Sequence, residues 1–340
     1  MKAGLAACAL GLAALVLPEG RAMAQEAATP GWQVPRTEWG DPDLTGMWPL
    51  EMGQTRMQRD PRYGDRAYMN DEEYAEALEA AGFLATGADR EEAADTLGVG
   101  SWFERGRVLR QTSLIMEPAN GRIPPLTAEG ERRKGAMRSS WDNGVFESIL
   151  DFNSLDRCIT RGMPATMIPF PYNNGVEIFQ APGYVVLNHE MIHETRIIPL
   201  DGRAHLPEPM TTWLGSSRGH WEGDTLVVET TGFNGESPMV IVGPSNEPVP
   251  TSTALKVTER FTMTGPDRIE YEALVEDPIV LTAPFKLAFP WHRNEDYEVF
   301  EYACHEGNTL VPAYIKATSP RFAAEREATF AAREAFEKGN

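Results

Sequence analysis

The chain has 340 residues and a formal net charge of −19, with 50 acidic residues against 31 Lys and Arg. That excess repels nucleic acid and anionic membranes, whose recognition needs clustered Lys and Arg, and serves solubility instead. The length is enough to bury a large core, as one extended β-domain or as two units.

Residues 1–24 read as a secretory leader. Lys2 supplies the n-region charge, Ala3 to Leu17 is an uncharged Ala/Leu stretch, and Ala22-Met23-Ala24 is an A-x-A cleavage site. The apolar run is short for a membrane span, and no later segment looks transmembrane. The expected location is periplasmic or secreted, with no integral membrane segment in the mature chain. Of three cysteines, Cys8 leaves with the leader, so Cys158 and Cys304 are expected to pair in an oxidising compartment.

Residues 25–140 are expected to form an arm with helices packed on the main body. Trp39 to Trp48 is rich in turn residues, and its two tryptophans are expected to anchor the arm. Asn70 to Ala81 has a capping residue, an acidic first turn and Gly82 beyond its end, which predicts a helix; Asp89 to Leu97 predicts a shorter one. Ser113 to Met116 is strand-like, and Thr127 opens a further helix running to about Ser139.

Residues 141–318 are assigned to an antiparallel β-barrel domain, its strands beginning from about residue 110 and ending near 308. From Val176 the apolar pattern has period two, with strands expected at Val176–Gln180, Tyr184–Ile198, Thr225–Thr231, Leu255–Met263, Arg268–Glu276 and Tyr297–His305. Residues 319–340 are expected to form a C-terminal helix, with Phe322, Phe330 and Phe336 laid on the barrel.

His189-Glu190-Met191-Ile192-His193 matches the H-E-x-x-H zinc signature. A zinc site needs the run on a helix, where i and i+4 share a face. Its flanks are β-branched and apolar, which favours a strand, and there the two histidines stand about 13 Å apart. No metal is therefore expected, and the absence of a P-loop or G-x-G-x-x-G run predicts no nucleotide cofactor. On a strand, His193 would face a barrel lumen beside Met191, with Arg196 at the rim pairing with Glu190 or Glu194. His305 and Glu306 end the predicted last strand as an acid/base pair or half a metal site, and the disulfide would bring Arg157 or Arg161 close to them as an anion holder. The expected catalytic set is thus His193, His305, Glu306, Arg161 and Arg196. Tyr302, Trp291, Trp213 and Met191 are the candidates to line an apolar pocket.

Several runs together carry a resemblance: Trp39 to Trp48, Gly121 to Leu126, Ile197 to Arg203, His220 to Glu229 and Tyr302 to Asn308. They look like a large group of secreted bacterial proteins of mostly unassigned function, over nearly the whole mature chain. The second half also resembles lipocalin-like barrels. That resemblance implies a cavity for a small hydrophobic or aromatic partner, without naming a reaction. In the group's pattern position 189 is expected to be aromatic or aliphatic, which weakens the zinc reading of His189. Three functions follow: a cofactor-independent acid/base enzyme (lyase, isomerase or hydrolase), a carrier without chemistry, or a metal-dependent hydrolase.

Overall fold

The computed structural model describes residues 31–50, 56–93, 104, 106–140, 144–242, 247–306 and 308–339. The leader and residues 94–97 of the second predicted helix lie outside them. Twelve strands are described: β1 (Gly46–Met47), β2 (Ile115–Glu117), β3 (Val176–Ala181), β4 (Tyr184–His189), β5 (Thr195–Pro199), β6 (Ser216–Glu222), β7 (Thr225–Thr231), β8 (Val240–Val242), β9 (Glu247–Val249), β10 (Lys256–Gly265), β11 (Arg268–Glu276) and β12 (Phe285–His292). The helices are α1 (Asp71–Ala93), α2 (Ala128–Ala136), α3 (Leu310–Thr318) and α4 (Ala323–Gly339).

The protein is mainly β. One antiparallel sheet has the order β1-β3-β4-β5 and a second has the order β2-β12-β11-β10-β7-β6, while β8 and β9 form a separate pair. Backbone runs on at both ends of the smaller sheet. Trp48 and Leu50 donate their N–H groups to Val176 and Asn174 of the β3 side, and Leu114 and Ile115 donate to Arg56 and Met57 beside β2. At the other edge β5 lies against β6 so closely that a Cβ on Gly219 would stand 2.8 Å from Ile198 Cγ2. No helix among the described residues is long and apolar enough to cross a membrane.

Alternation explains the larger sheet. In β10, β11 and β12 every second residue is buried, which places Phe261, Tyr271, Phe285, Phe289 and Trp291 on the inner face. Tyr271 stacks on Trp291 at 5.1 Å and Phe261 meets Trp291 edge-on at 5.5 Å. Trp291 is therefore a core residue, filling the interior rather than standing at a pocket wall. Trp48 is also fully buried, whereas Trp39 is exposed, so one tryptophan anchors the arm.

Several expected elements differ. Tyr184–Ile198 is two strands that pair with each other, not one. The last strand is Phe285–His292, and Tyr297–His305 carries no strand. Helix α1 runs through Gly82 to Ala93, since one glycine inside a helix costs only about 1 kcal/mol. Helix α4 forms as predicted, but Phe330 and Phe336 are 67% and 71% exposed, so it does not lie on the sheets through them.

One charged pair sits in the core. Glu259 occupies an inner position of β10 and is fully buried, where Arg196 from β5 forms an ion pair with both of its oxygens. Tyr271 donates to Glu259 at 3.0 Å, and Met167 Sδ, Ser217 and Thr230 accept the remaining guanidinium contacts. Burial opposes the arginine's charge, yet Glu259 more than offsets this and raises its pKa. Arg196 thus faces the interior and Glu259, not the rim and Glu190 or Glu194. Arg196→Met should destabilise the fold by about 3–5 kcal/mol, because it strands a buried carboxylate. Adding Glu259→Leu should recover most of that loss in urea unfolding. A single variant within 1 kcal/mol of wild type, on the scale of exposed pairs, would show that the pair does not hold the two sheets.

Candidate active site

The site is built on the turn that joins β4 to β5. Its ladder runs from Tyr184 opposite Pro199 to Asn188 opposite Thr195, and His189 N–H then donates to Glu194 O at 2.8 Å. The chain reverses through Glu190–His193 without a glycine. Ile192 and His193 both take left-handed backbone, with φ of 59° and 44°. Such a conformation costs an L-residue about 1–2 kcal/mol, so tertiary contacts must impose it.

Two buried carboxylates do so. Glu190 accepts from Tyr297 OH at 2.6 Å, Asn173 Nδ2 at 2.8 Å, Phe300 N–H at 2.9 Å and Gly175 N–H at 3.1 Å. Glu194 accepts from Thr166 Oγ1 at 2.7 Å. Among the described residues the non-glycine left-handed positions are Cys158, Asn173, Ile192 and His193, and all four surround this turn. Backbone strain gathered in one place is characteristic of functional sites.

The H-E-x-x-H run is therefore neither an α-helix nor one continuous strand: His189 ends β4, and Met191–His193 form a short 3-10 turn. His189 points into the interior, 3% exposed, while His193 stands exposed outside. Met191 is buried, away from His193, so the expected common face does not exist. No group of three or more His, Cys, Asp or Glu among the described residues is placed to hold a metal ion.

The long-range pairings are realised. Cys158 and Cys304 form a disulfide across 146 positions of sequence. It brings the segment of Tyr302 and His305 over the turn, where the rings of His193 and His305 lie 6.3 Å apart. Both imidazoles are exposed, as is Glu306. Arg161 is 9% exposed, with its guanidinium 4.5 Å above the Phe170 ring. Burial pulls its pKa down to about 10, against the opposing charges of Glu194, Tyr172 and Tyr302. Tyr302 is half-buried and hydrogen-bonded to Tyr172; burial first, and then that neighbour, push it up to about 12. Trp213 lies to one side, with the Arg157 guanidinium 5.9 Å from its ring. Arg196 and Trp291 belong to the core network and not to this surface.

From sequence, Glu194 is marked only as a salt-bridge partner of Arg196 and His189 only as part of the zinc signature, and neither belongs to the expected catalytic set. Burial raises the Glu194 pKa above the usual carboxylate range, although Thr160, Thr166 and Arg161 all oppose the shift. Its Oε1 is buried without a hydrogen-bond partner, as is His189 Nε2 across the hairpin. The signal for Glu194 was an acid inside an apolar run, a position that is normally a buried and paired one. One further spacing escaped the sequence reading: Gly215-Ser216-Ser217-Arg218-Gly219 is a G-x-S-x-G run. Ser217 lies buried within β6 and bonds Thr230 Oγ1 at 2.9 Å, and it lacks the strand-turn-helix setting of a nucleophile elbow.

The turn and its surroundings thus hold a buried carboxylate of raised pKa, a buried guanidinium, a tyrosine pair and two exposed imidazoles. Compared with known proteins, the chain matches no family model and no curated protein.

Proposed function

We propose that the protein is an exported, cofactor-independent enzyme that moves a proton on a small, partly aromatic substrate, as a lyase, isomerase or hydrolase. The observation that carries this reading is Glu194. It is a buried carboxylate whose pKa is shifted towards neutrality, with one oxygen unpartnered and a buried arginine nearby. Such a group is a suitable general acid or base near neutral pH. Arg161 holds the negative charge that develops as the proton leaves, and the exposed rings of His193 and His305 stand together beside the turn. Phe300, which is 64% exposed and bonded through its N–H to Glu190, offers an apolar surface beside the turn.

Export is supported by the leader-like N-terminus and the disulfide. A lipocalin-like closure of the two sheets is supported by the backbone bonds beside β2 and β3 and by the contact of β5 with β6. The interior aromatic packing favours a rim site over a wide lumen for a carried ligand.

The test is a panel of aryl esters, lactones, β-hydroxy acids and enolisable ketones. Wild type should convert at least one class, and Glu194→Gln should lower kcat by about 10²–10⁴-fold with the unfolding midpoint preserved. Equal turnover by both proteins removes Glu194 from the mechanism. Compounds that bind and are returned unchanged would instead identify a carrier.

A further inference from the structure

Among the described residues Arg59, Arg161 and Arg196 are buried, and the two that feel the charge of Glu194, Arg161 and Arg196, are treated differently. Arg196 has Glu259 in contact with its guanidinium. Arg161 has Ile168 O on Nη1 at 3.1 Å and no carboxylate of the described residues in contact with it. Glu194 is close enough to exert its charge, yet its Oε2 is bound to Thr166 and its Oε1 has no partner. A desolvated guanidinium without a contacting anion is unfavourable, and a ligand that brings the anion relieves it.

We infer that Arg161 receives the carboxylate of a small aromatic acid, and that such acids are the substrate class of this site. The Nε–Nη2 edge of Arg161 presents two parallel donors, the fork that matches a carboxylate in bidentate geometry. The surroundings are flat and aromatic. Phe170 lies under the guanidinium and meets Tyr172 edge-on at 5.1 Å, and Tyr172 bonds Tyr302. A phosphate group brings more oxygens and up to two charges to a single guanidinium that already has Glu194 nearby, so it fits less well.

This inference rests on the acid–base site described above, and its test uses acids with no bond to break. The intact protein is titrated calorimetrically with benzoate, with benzamide as the uncharged counterpart and inorganic phosphate as the anion without a ring. Benzoate should bind on the order of tenfold more tightly than either, and Arg161→Gln should reduce it to the level of benzamide. Should that variant not fold, the Nε–H resonance of Arg161 in wild type provides the readout, and it should move with benzoate and stay fixed with benzamide. Equal binding of benzoate and benzamide, phosphate binding as tight as benzoate, or an unmoved Arg161 resonance overturns the inference. Because these probes do not react, the carboxylate subsite can fail while Glu194-dependent turnover survives, and the reverse also holds.

Discussion

Replacing Cys158 and Cys304 together by serine should lower the unfolding free energy by about 4–5 kcal/mol at most. The bond closes a loop spanning 146 positions, and the chain-entropy argument gives about 5 kcal/mol for such a closure, less where the open chain keeps residual structure. The site should loosen with it. Segment 297–306 has no regular secondary structure, and besides the disulfide it is held by Tyr297 on Glu190 and Glu104, by Phe300 on Glu190 and by Tyr302 on Tyr172, with Asn308 Nδ2 on Cys158 Sγ just beyond it. Without the bond, His305 loses the anchor nearest to it. Urea unfolding measures the first effect, and proton contacts between the His193 and His305 rings report the second. A double serine variant with unchanged stability and an intact ring pair would show that the hydrogen bonds to Glu190, Glu104 and Tyr172 hold the segment without the disulfide.

The sequence revealed the sheets wherever period-two alternation coincided with local turn residues. Arg268–Glu276 and Thr225–Thr231 form strands at the predicted bounds, and Thr127 caps a helix as its spacing indicated. The pattern failed where tertiary contacts decide. The reversal at Glu190–Glu194 contains no Gly or Pro, because buried carboxylates rather than turn residues impose it, and those bonds come from residues 160–175 and 297–300. Strand β12 was overlooked because Pro290 argues against a central strand. Its missing N–H faces the side on which Ala288 bonds Leu114, beyond the point where β2 pairs, so no ladder bond is lost. Tyr297–His305 has strand-like composition but its Val299 and Phe300 are exposed, and side-chain carboxylates hold it in place of a ladder.

The candidate site divides along the same line. The disulfide and the meeting of His193 with His305 were legible, because two cysteines left over in an oxidising compartment define one long-range contact. The roles of Arg196 and Glu194 were not. A strand phase carried through the whole run places Arg196 and Glu194 together at a rim. The turn resets that phase, sending Arg196 to Glu259 and Glu194 to Thr166.

The reset also places His189 in the interior, and this makes the fold acid-sensitive. Burial, and then the charges of Arg196 and Arg161, hold the His189 pKa down to about 3. In the unfolded chain the group titrates near 6.5. Above that value both states carry neutral imidazole, and stability does not depend on it. As pH falls below about 6.5 the unfolded chain binds a proton that the folded protein does not, so stability drops by about 1.4 kcal/mol per pH unit. The loss is complete near pH 3, at about 5 kcal/mol. Glu194 works in the opposite sense: its raised pKa means the folded state takes its proton first, so acidification through that window stabilises the fold. The two are separated by His189→Phe, which keeps a ring at the position and removes the titration. At pH 7.5 the variant should lie within about 1 kcal/mol of wild type, because a neutral imidazole with an unpartnered Nε2 contributes little there. At pH 4 wild type should have lost about 3 kcal/mol more than the variant. Urea unfolding between pH 7.5 and 4 measures both slopes, and coincident slopes would remove His189 as the acid-sensitive group. The proton penalty falls on the last residue of β4, directly opposite Glu194, so acid loosens first the turn that presents the proposed catalytic carboxylate.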